Sequence, residues 1–179
     1  MFLVADTITC CYDLEEDRLV LSFNNDNGEE VNGLMTRQFL KELLTRLPAW
    51  LVQQRAGEVT PPSEQQRMID SFQHQMAQQQ VSVTYGNDRI SDKSADTFLI
   101  HSVNLAKNKK TSTTHHQKIN LEFLDRDHAI KVSIGFTLDH LHKLIGEILK
   151  QVHHWDLTNP WLADDRFFVT GATKDTLMH

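Results

Sequence analysis

Ile119-Asn120-Leu121-Glu122-Phe123 alternates apolar and polar side chains, Asp125-Arg126-Asp127-His128 interrupts the run, and Ile130, Val132, Ile134 and Phe136 resume it up to Thr137. Alternation with a period of two puts one side chain in and the next out, so this stretch reads as two half-buried strands joined by a turn. Beyond Thr137 the period changes. Leu141, Leu144, Ile145, Ile148 and Val152 follow at helical spacing, a stripe that lies on one face of an α-helix. Thr137 is placed to cap that helix by accepting a bond from one of its orphan backbone N–H groups.

The same grammar occurs earlier in the chain. Leu19, Leu21 and Phe23 alternate, Asn24-Asn25-Asp26-Asn27-Gly28 supplies turn residues that tolerate positive φ, and a return strand follows from Glu30 to Met35. Thr36 caps, and Leu40, Leu43, Leu44, Leu47 and Leu51 form the stripe, each 101 positions before its counterpart. Strand candidates Thr7–Tyr12 and Phe98–Leu105 precede the two hairpins. The expected fold is therefore α+β: two tandem β-β-β-α units, a duplicated meander plus helix, sharing one core. Residues 1–56 are the first unit, 57–97 a connecting helix and short strand, 98–157 the second unit, and 158–179 a C-terminal strand and tail. Pro48, which has no N–H for the Leu44 carbonyl, is expected to kink or end the first helix.

In the connecting region, Thr60-Pro61-Pro62 is a stiff break and Ser63 with Gln66 fits a capping box. Met68, Ile69, Phe72 and Met76 form a narrow stripe among seven glutamines, which predicts a helix packed on one side. A short strand over Val81–Tyr85, a loop over 91–96, a last strand over Arg166–Thr170 and a loose tail from Gly171 complete the reading.

The net charge of −6 is unevenly spread: residues 1–56 hold nine acids against five bases, whereas 98–157 hold six against eight, with eight of the ten histidines. Such a chain is not a general polyanion binder, since phosphate neutralisation needs a concentrated basic surface. No stretch approaches the roughly 20 apolar residues of a membrane span, and the start of the chain lacks a secretion signal, so a cytoplasmic protein with no membrane partner is expected. Cys10 and Cys11 are adjacent and point to opposite faces of a strand, which suits two free thiols rather than a disulfide.

No G-x-G-x-x-G, phosphate-binding loop, G-x-S-x-G or H-E-x-x-H occurs, and no catalytic, cofactor or metal residue is assigned. His140 and His142 fall at a helix start, where two residues diverge by about 200° and do not share a ligand. Solvated or locally capping imidazoles are the expectation there, and His153 and His154 suit a helix C-terminus. Between two predicted strands, residues 107–118 carry no acid; Lys107, Lys109, Lys110, His115, His116 and Lys118 are candidate anion or nucleic-acid contacts, with a solvated loop favoured over that role. Trp155 and Trp161 bracket a turn and are candidate interface residues, with sealing of the core edge favoured.

The twice-repeated meander-plus-helix order resembles in outline the single-stranded nucleic-acid-binding proteins of the PUR and Whirly type. The expected function is a non-enzymatic binding or adaptor protein, without cofactor, acting through a sheet surface or edge on a protein partner or on itself. A single-stranded nucleic-acid binder using the 107–118 loop is the alternative, and a small histidine-dependent metalloenzyme ranks third.

Overall fold

The computed structural model describes residues 1–54, 63–83, 96–107 and 118–162. The chain is α+β, with strands β1 (Phe2–Ala5), β2 (Thr7–Asp13), β3 (Arg18–Asn24) and β4 (Glu30–Met35), and then helices α1 (Arg37–Gln54) and α2 (Ser63–Gln80). Strands β5 (Asp96–Leu99), β6 (Ser102–Lys107), β7 (Lys118–Leu124) and β8 (Lys131–Thr137) follow, then α3 (Leu138–Gln151) and a short 3-10 turn at His153–Trp155. The Pro61-Pro62 break, residues 91–95 of the expected 91–96 loop, the Arg166–Thr170 strand and the tail fall outside the described residues, while Asp96 begins β5 instead of ending that loop.

The strands form two mixed four-stranded sheets, ordered β2-β3-β4-β5 and β1-β8-β7-β6. In each, three strands form an antiparallel meander, and the fourth pairs in parallel with the last meander strand: β5 with β4, and β1 with β8. Each parallel strand thus precedes one meander in the chain and pairs with the other: β1 precedes β2–β4 and joins β8, and β5 precedes β6–β8 and joins β4. The chain crosses between sheets at two points. After β1, the Asp6 N–H donates to the Asn24 carbonyl at 2.8 Å; after β5, the Ile100 N–H donates to Leu34 and the His101 N–H to Leu124, each at 2.9 Å. The expected single strand Phe98–Leu105 is corrected here. It is two strands in two sheets, because the backbone bonds of Ile100 and His101 point to different partners.

Local chemistry explains the elements. Both hairpins between the last meander strands turn through a residue with positive φ, Gly28 at 80° and His128 at 57°. Their N–H groups donate to Asn25 and Asp125 carbonyls at 3.0 and 3.4 Å. Thr36 Oγ1 accepts from the Phe39 N–H at 3.2 Å, and Thr137 Oγ1 from the His140 N–H at 3.3 Å, so both helices carry threonine caps. Inward-facing Leu19, Leu21 and Phe23, Ile119, Leu121 and Phe123, and the stripes of α1 and α3 join in one continuous buried core. Helix α1 runs on through Pro48 instead of ending there. Leu44, Leu47 and Leu51, on both sides of the proline, are all buried, and their burial outweighs one lost backbone bond.

Helix α2 inverts the expectation. Its apolar residues Met68, Ile69 and Phe72 are exposed, whereas Gln66, Asp70, His74 and Ala77 are buried. Contacts to α3 fix this orientation. Gln78 Nε2 donates to the His142 carbonyl at 2.8 Å and Lys143 Nζ donates to the Gln78 carbonyl at 3.0 Å. Gly146 leaves the room, since a Cβ there would come within 2.3 Å of the Gln78 amide. Val81–Val83 leave the helix without joining a strand, so the expected Val81–Tyr85 strand is absent from its described part. No helix among the described residues is long and apolar enough to cross a membrane.

Candidate binding groove

Strand β6 ends its sheet: among the described residues its sole strand partner is β7. An edge strand presents N–H and C=O groups to whatever lies beside it. Residues of β6 and of α1 line one cleft. Its volume is about 580 Å³, and it is lined by five consecutive residues, His101, Ser102, Val103, Asn104 and Leu105, together with Phe39, Leu43, Leu47 and Trp50. Glu42 and Arg46, both exposed and one turn apart on α1, add a carboxylate and a guanidinium. Leu47 is buried and forms part of the floor, whereas Phe39, Leu43, Trp50, Val103 and Leu105 are half-buried and form walls. His101, at the entrance to β6, is exposed.

The volume is that of a ligand site, and apolar walls with a few polar groups are the usual lining. Strand alternation places Val103 and Leu105 on the side of the core, with Ser102 and Asn104 on the opposite face. All five residues from His101 to Leu105 line the cleft, so an occupant would meet β6 along most of its length. A smaller cleft of about 240 Å³ lies where Asp156, Leu157, Thr158 and Pro160 cross α1 beside Lys41, Leu44 and Thr45.

The residues singled out from the sequence fall elsewhere. Lys107 ends β6 and Lys118 begins β7, their backbones opposite Ile119 and Thr137. Lys109, Lys110, His115 and His116 lie outside the described residues. Trp155 and Trp161 are 2% and 3% exposed, covered by this chain itself. The Trp155 indole N–H donates to Asp17 Oδ1 at 2.8 Å, Tyr12 donates to the same oxygen at 2.6 Å, and Arg37 donates to the Trp155 carbonyl at 2.6 Å. The hydrogen bonds from Tyr12 and then Trp155 hold the Asp17 carboxyl below its usual range, and the bond to Asp17 raises the Tyr12 hydroxyl.

The histidines divide. His140 caps locally, its Nδ1 at 2.6 Å from Thr137 Oγ1, and His153 Nδ1 lies 3.1 Å from the Lys150 carbonyl. His142 is a correction to the solvated reading, being fully buried. It packs with His74 and Trp161, ring centroids 4.5 Å from Trp161 and 5.5 Å from His74, and His74 stacks on Trp161 at 5.0 Å. Burial lowers the His74 pKa, and its Nε2 lies 3.1 Å from Asn159 Nδ2. No sequence pattern points to this trio, because its members come from α2, α3 and the segment after the 3-10 turn.

Two further groups are set by burial. The Cys10 thiol is pushed up to about 11, chiefly by burial and then by Glu147, and so stays protonated at neutral pH. Burial acts to raise the Glu147 carboxyl, but hydrogen bonds from Lys150 and Lys143, at 2.7 and 3.0 Å, outweigh it and leave its pKa low. Among the described residues no group of three or more His, Cys, Asp and Glu side chains is placed to hold a metal ion. No protein-family model, no curated protein and no solved structure matches the chain.

Proposed function

We propose that the chain is a non-enzymatic binding or adaptor protein, built on two copies of one meander-plus-helix unit, and that it takes an extended peptide segment along the edge of β6. The observation that carries this reading is the cleft lined by five consecutive edge-strand residues facing an apolar helix wall. A peptide added there gains main-chain bonds from β6 and places alternate side chains against Leu43, Trp50 and Phe39, the recurring logic of strand addition. The two-copy reading is supported by the matched stripes and by threonine caps and positive-φ turns at corresponding places.

A library of short random peptides displayed against the full-length chain tests this. Enriched sequences are expected to alternate apolar residues and to shift tryptophan emission through Trp50, since Trp155 and Trp161 are buried. Trp50→Ala and Leu105→Lys should each abolish that binding. Failure to enrich any peptide, or enrichment indifferent to both substitutions, sinks the proposal.

A further inference from the structure

The segment after the 3-10 turn is held at its two ends in different ways. At its start, the Trp155 indole N–H donates to Asp17 and the Trp155 carbonyl accepts from Arg37. At its end, Trp161 is buried against the rings of His74 and His142. Between these holds Asp156 has a φ of 53°, in the left-handed region that residues other than glycine enter at a cost.

The second hold works in only one protonation state. Asn159 Oδ1 accepts from the Trp161 N–H at 3.0 Å, and this turns its Nδ2 toward His74 Nε2, 3.1 Å away. An amide nitrogen only donates, so Nε2 must accept, which it does only while it carries no proton. In the imidazolium both ring nitrogens are donors. Nε2 would then face a second donor, and the buried Nδ1 has no acceptor among the described residues.

The charged groups around His74 do not reverse this. On α2, Asp70 lies one turn earlier, its carboxylate accepting from Gln66 at 2.8 Å. On α3, Lys143 follows His142 and pairs with Glu147 at 3.0 Å, and Lys150 meets the same Glu147 oxygen at 2.7 Å. Residues 157–162 bring no charge. Burial prevails, and the His74 pKa is lowered.

We propose that His74 and Asn159 form an acid-released latch: at neutral pH they hold residues 157–161 on α2 and α3, and in mild acid a proton on His74 frees that segment about a hinge at Asp156. Release also reshapes the smaller cleft, because Leu157, Thr158 and Pro160 line it together with Lys41, Leu44 and Thr45. The latch does not rest on the β6 groove. The closed form resists the proton, whereas the open form takes it up near pH 6.5. Each pH unit below that value therefore raises the open share by up to about tenfold, until the closed form is protonated as well.

Fluorine NMR of the full chain carrying fluorotryptophan tests this, the shift of each signal between water and deuterium oxide reading its exposure. Trp161→Phe identifies the Trp161 signal. Between about pH 7.5 and about pH 5, Trp161 is expected to become exposed, while Trp155, also buried but outside the latch, stays covered. His74→Gln, whose amide oxygen accepts from Asn159 without titrating, should remove the pH dependence whatever its absolute exposure. Asn159→Asp gives a reading that a purely structural role would not: its carboxylate accepts from the protonated ring, so Trp161 should stay covered where the wild type opens. Three results would each overturn the proposal. They are a wild-type Trp161 covered throughout, exposure of Trp155 in step with Trp161, and a wild-type acid response in either variant.

Discussion

Phe23 and Phe123 meet inside the core, their ring centroids 4.9 Å apart and their planes tilted by 49°. One sits on the central meander strand β3 and the other on β7, so this contact joins the two sheets directly. Both are fully or almost fully buried.

Either residue replaced by alanine should cost about 3–5 kcal/mol, the range for a buried aromatic that leaves a cavity. The double variant should depart from additivity by about 0.5–1.5 kcal/mol, because neither ring keeps its partner once the other is gone. Urea titrations of the four proteins measure this. Strict additivity would show that the sheets are coupled through other side chains.

Gly33 sits on β4 where a Cβ would fall 2.9 Å from Ile100 Cδ1 and 3.1 Å from a Phe23 ring carbon. Gly33→Ala should therefore lose about 1–3 kcal/mol through overpacking. Adding Ile100→Val should restore part of the loss. A thermal melt in which Gly33→Ala equals the wild type would mean that Ile100 yields without cost.

Burial holds the His74 pKa below its ordinary value. The unfolded chain takes up a proton near pH 6.5, whereas the folded chain resists until lower pH, so the unfolded state binds more protons across that window. Stability should fall as pH drops below about 6.5 and level off below the folded value. His74→Gln should remove that slope while leaving the more acidic limb in place. Denaturant midpoints followed from neutral to mildly acidic pH decide the point, and an unchanged slope in the variant would place the sensitivity elsewhere.

Asp17 carries the opposite kind of group with the same pH sense. Tyr12 and Trp155 donate to its carboxylate and keep its pKa low, so the stability they confer is present above the unfolded value, near 3.9, and fades as pH falls through the folded one. Asp17→Asn should lower the thermal midpoint at neutral pH and flatten the acid limb. The effect should be small because Asp17 is exposed to solvent. The Trp155 near-ultraviolet signal should change in the same variant, and an unaltered signal would mean that the indole bond is not formed in solution.

The parts of the fold that could be read from the sequence are those specified by neighbours in the chain. The hairpins flanking Asn24–Gly28 and Asp125–His128 follow from alternation and turn residues, and the caps at Thr36 and Thr137 follow from residue type and position. Long-range choices could not be read in this way. Leu3 and Ala5 are too few to mark β1 as a strand, and its partner Val132 lies far along the chain. The split at Ile100–His101 depends on carbonyls of two different sheets. The orientation of α2 went against its own periodicity, because Gly146, Gln78 and the ring trio around His142 decide it. The groove was equally hidden: Trp50 and Leu105 belong to ordinary amphipathic patterns until α1 and β6 line one cleft.

The exchanged edge strands also govern how the protein can come to be folded. Of the described strands Phe2–Ala5 is made before all the others, yet its sheet partner Lys131–Ile134 is made after them. Neither sheet is complete when only the first half of the chain exists: one still lacks β5, and the other consists of β1 alone. Closing such long loops before their contacts form is entropically slow, so folding should begin in the local hairpins and finish as a single late event. Until β8 emerges, Phe2 and Val4 belong to a strand with no partner, and a holding factor that shields β1 during translation would raise the yield of native protein more than one acting after β8 has been made.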